Sequence, residues 1–335
     1  MCRPAPLAVA LGVALAVVTA SAGCGGDTSA ADDDRLRAVT TVSPITNIVA
    51  MIGGEHVDVV GVVPEGTNSH TFEPPPSVAE ALVEADVVYL NGLQLEEPTR
   101  RLAEDTVGDD VELVTLGEQT ITPDEYVYDF SFPREGGKPN PHLWTHPGLA
   151  LRYAEIIRSD LAERDPDHAD DFTANYEAFE GRVESFDAAL RTALDTVPPA
   201  DRRLLTYHDS FAYFARDYGW QVIGAIQPAD FEEPTAREVA DLIDQVRDAG
   251  VPAIFGSEVF PSPVLEQIGQ ETGARYVDEL RDDDLPGEPG DPEHSLLGLL
   301  RYDYATIVSA LGGDPSALEG VDVGNVVDDT AEYPQ

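Results

Sequence analysis

The stretch FTANYEAFEGRVESFDAALRTALDTVPP, residues 172–199, decides the fold. Phe172, Tyr176, Phe179, Val183, Phe186, Leu190 and Leu194 recur at steps of three or four with charged residues between them, which is the apolar stripe of one long α-helix. Val197-Pro198-Pro199 ends it, because proline has no amide hydrogen to donate and its ring clashes with the preceding turn. Periodicity alone fits a helix packed on one lobe as well as one that joins two. A joining helix would be stiff and would limit how far the lobes open.

On both sides of this helix the same alternation appears. Apolar, β-branched runs at Ala38–Val42, Val57–Val63, Val87–Leu90 and Val111–Leu116 read as parallel strands, separated by helical stretches such as Ser77–Glu84 and Glu96–Thr106. The pattern returns with strands at Leu204–Tyr207, Gln221–Ile226, Ala253–Gly256 and Arg275–Val277, and helices near Phe211–Tyr218, Thr235–Ala249, Pro263–Thr272 and Leu296–Leu311. The expected fold is α/β: two lobes, each a parallel sheet flanked by helices, joined by one long rigid helix. The expected boundaries are a secretory signal at 1–23, a tether at 24–36, a first lobe at 37–165, a connecting helix at 166–197 and a second lobe at 198–335.

The signal is read from Arg3, the uncharged apolar run Leu7–Val18 and the small residues Thr19–Gly23, too short and too weakly flanked for a retained membrane span. Only two cysteines exist, Cys2 and Cys24, so the folded body carries no disulfide and no thiolate ligand. Ser21-Ala22-Gly23-Cys24 resembles a bacterial lipobox, with Ser21 where leucine is usual; Ala20-Ser21-Ala22 also serves as a site for ordinary secretion. The expectation is acylation of Cys24 and anchorage to the outer face of the cell membrane, with a secreted soluble protein as the alternative.

With 63 acidic against 20 basic residues the formal net charge is −43, which makes nucleic acid and anionic lipid poor partners. Runs such as Asp32-Asp33-Asp34 and Asp282-Asp283-Asp284 read as solvated tether or loop.

Three histidines stand where a strand or loop hands over to a helix. His70 follows the strand that ends near Val63, His208 follows Leu204–Tyr207, and His142 lies in Pro141-His142-Leu143-Trp144-Thr145-His146-Pro147 before a helical run. Asp278 follows Arg275-Tyr276-Val277. In open α/β sheets ligands bind beyond the carboxyl ends of strands, so these positions converge on a cleft between lobes. Imidazoles plus a carboxylate form a divalent-metal site. His56, His168 and His294 lack this context and are assigned surface or packing roles. His146, four residues from His142, is read as an outer-shell or capping residue.

Four segments then carry a resemblance: His70-Thr71-Phe72-Glu73-Pro74; Asn140-Pro141-His142-Leu143-Trp144; Tyr207-His208-Asp209-Ser210-Phe211; and Phe255-Gly256-Ser257-Glu258 before Tyr276-Val277-Asp278. In this order they resemble the zinc/manganese solute-binding lipoproteins of ABC importers, the ZnuA-like and TroA-like group, over nearly the whole mature chain. The resemblance implies that His70, His142, His208 and Asp278 hold the metal in the cleft, with Glu258 as rival oxygen ligand. It also implies delivery to a membrane permease driven by a cytoplasmic ATPase. The chain departs from the family where aspartate is common at Asn140 and His146, and Thr120–Pro139 contains no histidine where many zinc-specific members carry a histidine-rich loop.

Three imidazoles and one carboxylate suit Zn2+, and a bidentate Asp278 would open the site to Mn2+. The expected cargo is Zn2+, then Mn2+, in a monomer that is not an enzyme. A zinc-dependent hydrolase is the enzyme alternative, but no H-E-x-x-H motif is present and a fourth protein ligand would close the shell. A surface adhesin and a carrier of a chelated or organic ligand are the others.

Overall fold

A computed structural model of the protein describes residues 35–207, 209–226, 234–257 and 262–334, the side chain of Glu279 excepted. The secretory segment, the tether up to Asp34, Cys24, His208 and Glu258 lie outside the described residues.

The first lobe is built on β1 (Leu36–Thr40), β2 (Val57–Gly61), β3 (Val87–Leu90) and β4 (Glu112–Thr115), all parallel in the order β2-β1-β3-β4. Every residue of β3 is buried, as a parallel strand covered on both faces must be. Its helices are α1 (Ser43–Gly53), α2 (Pro76–Val83), α3 (Glu97–Thr106), α4 (Leu116–Thr120) and α5 (Pro147–Arg164). All eleven residues of α1 are buried, so it lacks the polar face that would give a helical period, and the strand and helix patterns above do not include it.

The long helix is α6 (Ala169–Asp195), and it buries Phe172, Phe179, Val183, Phe186, Leu190 and Leu194, the stripe seen in the sequence. Each such side chain contributes roughly 1.5–3 kcal/mol on burial. The second lobe contains β5 (Arg203–Thr206), α7 (Ala212–Tyr218), β6 (Gln221–Ala225), α8 (Ala236–Ala249), β7 (Ala253–Ser257), α9 (Pro263–Thr272), β8 (Arg275–Leu280), α10 (Leu296–Ala310) and α11 (Ser316–Glu319). Along its length α6 packs on α1 and α5 of the first lobe and on α10 and α11 of the second, which is the joining arrangement.

The strands of the second lobe pair in parallel as β5-β6 and β7-β8, and β5 packs beside β7, repeating the strand order of the first lobe. β8 is longer than the apolar run Arg275–Val277 suggests, because it extends to Leu280. Asp278 therefore lies within the strand, not past its end.

After α11 the chain returns to the first lobe, so the last residues do not stay with the second lobe as a 198–335 boundary implies. Glu332 forms a parallel bridge with β2, its nitrogen donating to Val59 O (2.9 Å) and its carbonyl accepting from Gly61 N (2.8 Å). The Tyr333 ring lies so close over Gly61 that a Cβ there would clash with it. Asn47 on α1 accepts from Leu296 N (2.9 Å) and donates to Asn325 and Asp329 (3.0 and 2.7 Å), tying α1 to α10 and the tail. Among the described residues no helix is long and apolar enough to cross a membrane.

Candidate metal centre

Beyond β2 the amides of Val62 and Val63 still bond to β1-side carbonyls, those of Thr40 and Thr41, and the chain then turns through residues 64–70. The Asn68 side chain accepts the His70 amide (2.9 Å), a local turn that sets the half-buried imidazole at the strand's carboxyl end. His142 approaches from the segment before α5 and is completely buried. The two Nε2 atoms are 3.1 Å apart. Nitrogens bound at 2.0–2.1 Å to one ion stand about 3.3 Å apart in a tetrahedron and about 2.9 Å apart in an octahedron, so this spacing fits a shared cation.

Aromatic rings wall the pair. Phe132 lies 5.6 Å from each imidazole by ring centroid and Trp144 lies 5.1 Å from His142. Such walls exclude water and strengthen whatever charge interaction occurs between them. The Trp144 indole donates to Asp282 O (2.8 Å) in the second lobe, and the Tyr213 hydroxyl donates back to Asn140 O (2.9 Å).

The acidic run Asp282-Asp283-Asp284 is not a solvated loop. Asp282 and Asp284 are only 8% and 6% exposed. Ser210 Oγ donates to Asp282 (2.6 Å), Gly66 N donates to both Asp284 oxygens (2.8 and 2.9 Å), and Ser69 Oγ, one residue before His70, donates to Asp283 (2.5 Å). Leu285 N donates to Glu65 (3.0 Å). The run follows β8 at its carboxyl end, so it occupies the functional edge that a strand ending at Val277 would give to Asp278. Strand length was the signal that could have found it. Asp278 itself is solvent-exposed, in contrast to the histidine pair.

Burial pushes the carboxyl of Asp282 up to about 7, the Ser210 bond opposing it and Asp284 adding to it. Asp209 is driven well above the usual range by burial and then by the charge of Asp129. Burial raises Asp129 to about 6 against bonds from Asn140, Phe132 and Ser131. These carboxyls resist ionising together, and a nearby cation reverses that preference.

His146 caps α5. Its Nδ1 accepts from Gly148 N (3.0 Å) and Leu149 N (3.3 Å), and Nε2 faces Asp217 (3.3 Å). Burial lowers its pKa, with Asp217 opposing. Both ring nitrogens are thus engaged away from His142. His56 stacks on His168 at 3.8 Å while bonding Asp171, and His294 is buried near Glu65. Among the described residues no group of three or more His, Cys, Asp or Glu side chains is arranged to hold a metal. The structure therefore brings His70 and His142 together, sets the Asp282–Asp284 loop against the same segment, leaves Asp278 exposed and gives His146 a structural place.

Residues 38–310 match the family described as "Zinc-uptake complex component A periplasmic". The chain is 30% identical over 301 residues, covering 89% of it and 97% of the relative, to the manganese-binding lipoprotein MntA of Halalkalibacterium halodurans. It is 31% identical over 283 residues to the iron-binding protein YfeA of Yersinia pestis, covering 83% of this chain and 87% of that one. The fold superposes on the periplasmic zinc-binding protein TroA of Treponema pallidum with a TM-score of 0.75 and 26% identity, covering 83% of this chain and 99% of the other.

Proposed function

This chain belongs to the family of periplasmic zinc-uptake component A, the metal-binding substrate-binding proteins of ABC importers, and from that premise we propose how it takes its cargo. A divalent transition-metal ion is captured outside the cytoplasm between His70 and His142 and handed to a membrane permease driven by a cytoplasmic ATPase. The observation that carries this reading is the 3.1 Å approach of two imidazole nitrogens, from segments 72 residues apart, at the carboxyl end of a parallel sheet. We place Asp283 in the carboxylate role that the sequence pattern gives to Asp278, since it sits beside the His70 loop while Asp278 faces solvent. His208 completes the set as a third nitrogen ligand, supported by its place directly after β5.

The physiological ion in this reading is Mn2+ ahead of Zn2+. Support comes from the carboxylates gathered on the second-lobe side, which as hard oxygen donors suit Mn2+, and from relatives named for manganese and iron. Zn2+ binds a nitrogen-oxygen site more tightly than Mn2+ in any simple competition, so test-tube preference is a poor guide. Transport is the direct test: cells lacking this gene should lose high-affinity uptake of radioactive Mn2+ and regain it on complementation. Loss confined to Zn2+ uptake would reverse the order of metals.

Cys24 is proposed as the acylated residue, in keeping with relatives named lipoproteins. Cys24→Ser should release the protein from the membrane fraction, and unchanged membrane retention would refute the anchor.

A further inference from the structure

The Asn140 amide can be oriented without ambiguity. Its nitrogen meets two groups that only accept, the Asp129 carboxylate (2.7 Å) and the Asp209 carbonyl (2.5 Å). Its oxygen receives the His142 backbone amide (2.9 Å), which only donates. The same oxygen lies 2.9 Å from His142 Nδ1, so Nδ1 must carry the ring proton and the lone pair of a neutral imidazole falls on Nε2, the atom that approaches His70.

Asp129 sets this up from the other end. One of its oxygens receives the amides of Ser131 and Phe132 (both 3.0 Å), fixing the turn that places Phe132 against both imidazoles, and the other receives Asn140. Ser131 Oγ in that turn accepts Asp209 N (3.1 Å), adjacent to position 208. We infer that Asp129 and Asn140 are a matched pair of positioning residues, in which the carboxylate, with the Asp209 carbonyl, holds the amide nitrogen in place and the amide oxygen selects the His142 tautomer that can bind metal. The inference rests on the metal-site reading above for its consequence but not for its geometry. It also gives a reason for a neutral residue at 140: a carboxylate there would stand against that of Asp129 and the Asp209 carbonyl.

Asp129→Asn leaves one oxygen where two are used. The turn amides cannot rotate, so they keep it, and the new NH2 confronts that of Asn140, which the Asp209 carbonyl and the His142 backbone amide still hold unflipped, so Asn140 is pushed off its place rather than turned over. Asn140→Asp puts like charges in contact. The double variant D129N/N140D again opposes a donor to an acceptor, lacking only the bond to Asp209 O. Metal titration should show each single variant binding Mn2+ roughly 10- to 100-fold more weakly, the range of outer-shell changes. The double variant should bind more tightly than N140D. In the metal-free protein, nitrogen NMR of the His142 ring should show protonated Nδ1 in the wild type and a mixture of the two tautomers in Asn140→Ala, which lacks the acceptor.

A double variant no tighter than N140D, or a ring tautomer unchanged in Asn140→Ala, overturns the pairing. Should D129N fold poorly, the comparison of N140D with the double variant decides alone. The tautomer is read without metal, so wild-type Mn2+ affinity in His142→Ala would end the site reading and leave this result standing. A wild-type ring with bare Nδ1 would do the reverse.

Discussion

In the first lobe four strands form an unbroken parallel ladder, Asn68 fixes the His70 backbone beyond β2, and Asn140 and aromatic walls hold the His142 imidazole. In the second lobe each strand pair loses register, midway along β5 at Leu204/Leu205 and at the carboxyl end of β7 at Phe255/Ser257, and the described groups brought to the site are carboxylates. Such irregularities are common beside functional sites, where they re-aim the side chains beyond them. The contrast assigns separate tasks. The first lobe presents imidazole nitrogen already in position, and the second presents buried carboxylates whose negative charge a cation at the proposed site would stabilise.

The sharpest way to break this contrast is to remove nitrogen. His70→Ala and His142→Ala should each weaken Mn2+ or Zn2+ binding by more than about 100-fold, beyond the outer-shell range, while circular dichroism shows a folded protein. Loss in one variant but not the other would mean the two imidazoles do not share an ion.

The next test separates two aspartates five positions apart. Asp283→Asn should lower affinity by at least about 10-fold, while the exposed Asp278→Asn should leave it within about 3-fold of wild type. Isothermal titration measures both, and the opposite order would restore Asp278 to the site.

Ser69→Ala removes one hydrogen bond between the lobes, worth about 1 kcal/mol, so metal affinity should fall by roughly 5-fold. No change would show that the contact between the His70 loop and Asp283 is incidental.

The smallest effect concerns the rigidity of the first lobe. Glu96 is 3% exposed, accepts Asn91 N (2.6 Å), and is pushed up to about 7 by burial. Asn91 in turn donates to Pro141 O (3.1 Å) beside His142. A carboxyl whose folded pKa exceeds its unfolded value of 4.5 destabilises the fold above about pH 7, and the cost disappears as pH falls toward 4.5. Glu96→Gln keeps the acceptor without the charge. Its thermal midpoint should exceed that of the wild type at pH 8 and converge on it below pH 5; a lower midpoint at pH 8 would show that the charge is used.

Most of the scaffold could be read from residues because its strands are β-branched runs between turn signals and its amphipathic helices keep a polar face. α1 could not, since burial on every side erases the period that identifies a helix. The tail could not either, because one bridge between Glu332 and β2 leaves no alternating pattern. His70 and His142 were legible from their positions at element boundaries. Asp282, Asp283 and Asp284 were not, because a run of like charges ordinarily means solvent and nothing local reveals that Gly66, Ser69 and Ser210 satisfy it.

The most direct test of shared coordination is a crystal structure of the Mn2+-loaded mature protein with anomalous data at the manganese edge. The expected result is one peak bonded to Nε2 of both His70 and His142, with an oxygen of Asp283 in the same shell. A peak elsewhere, with the two imidazoles still 3.1 Å apart and touching only each other, would contradict it.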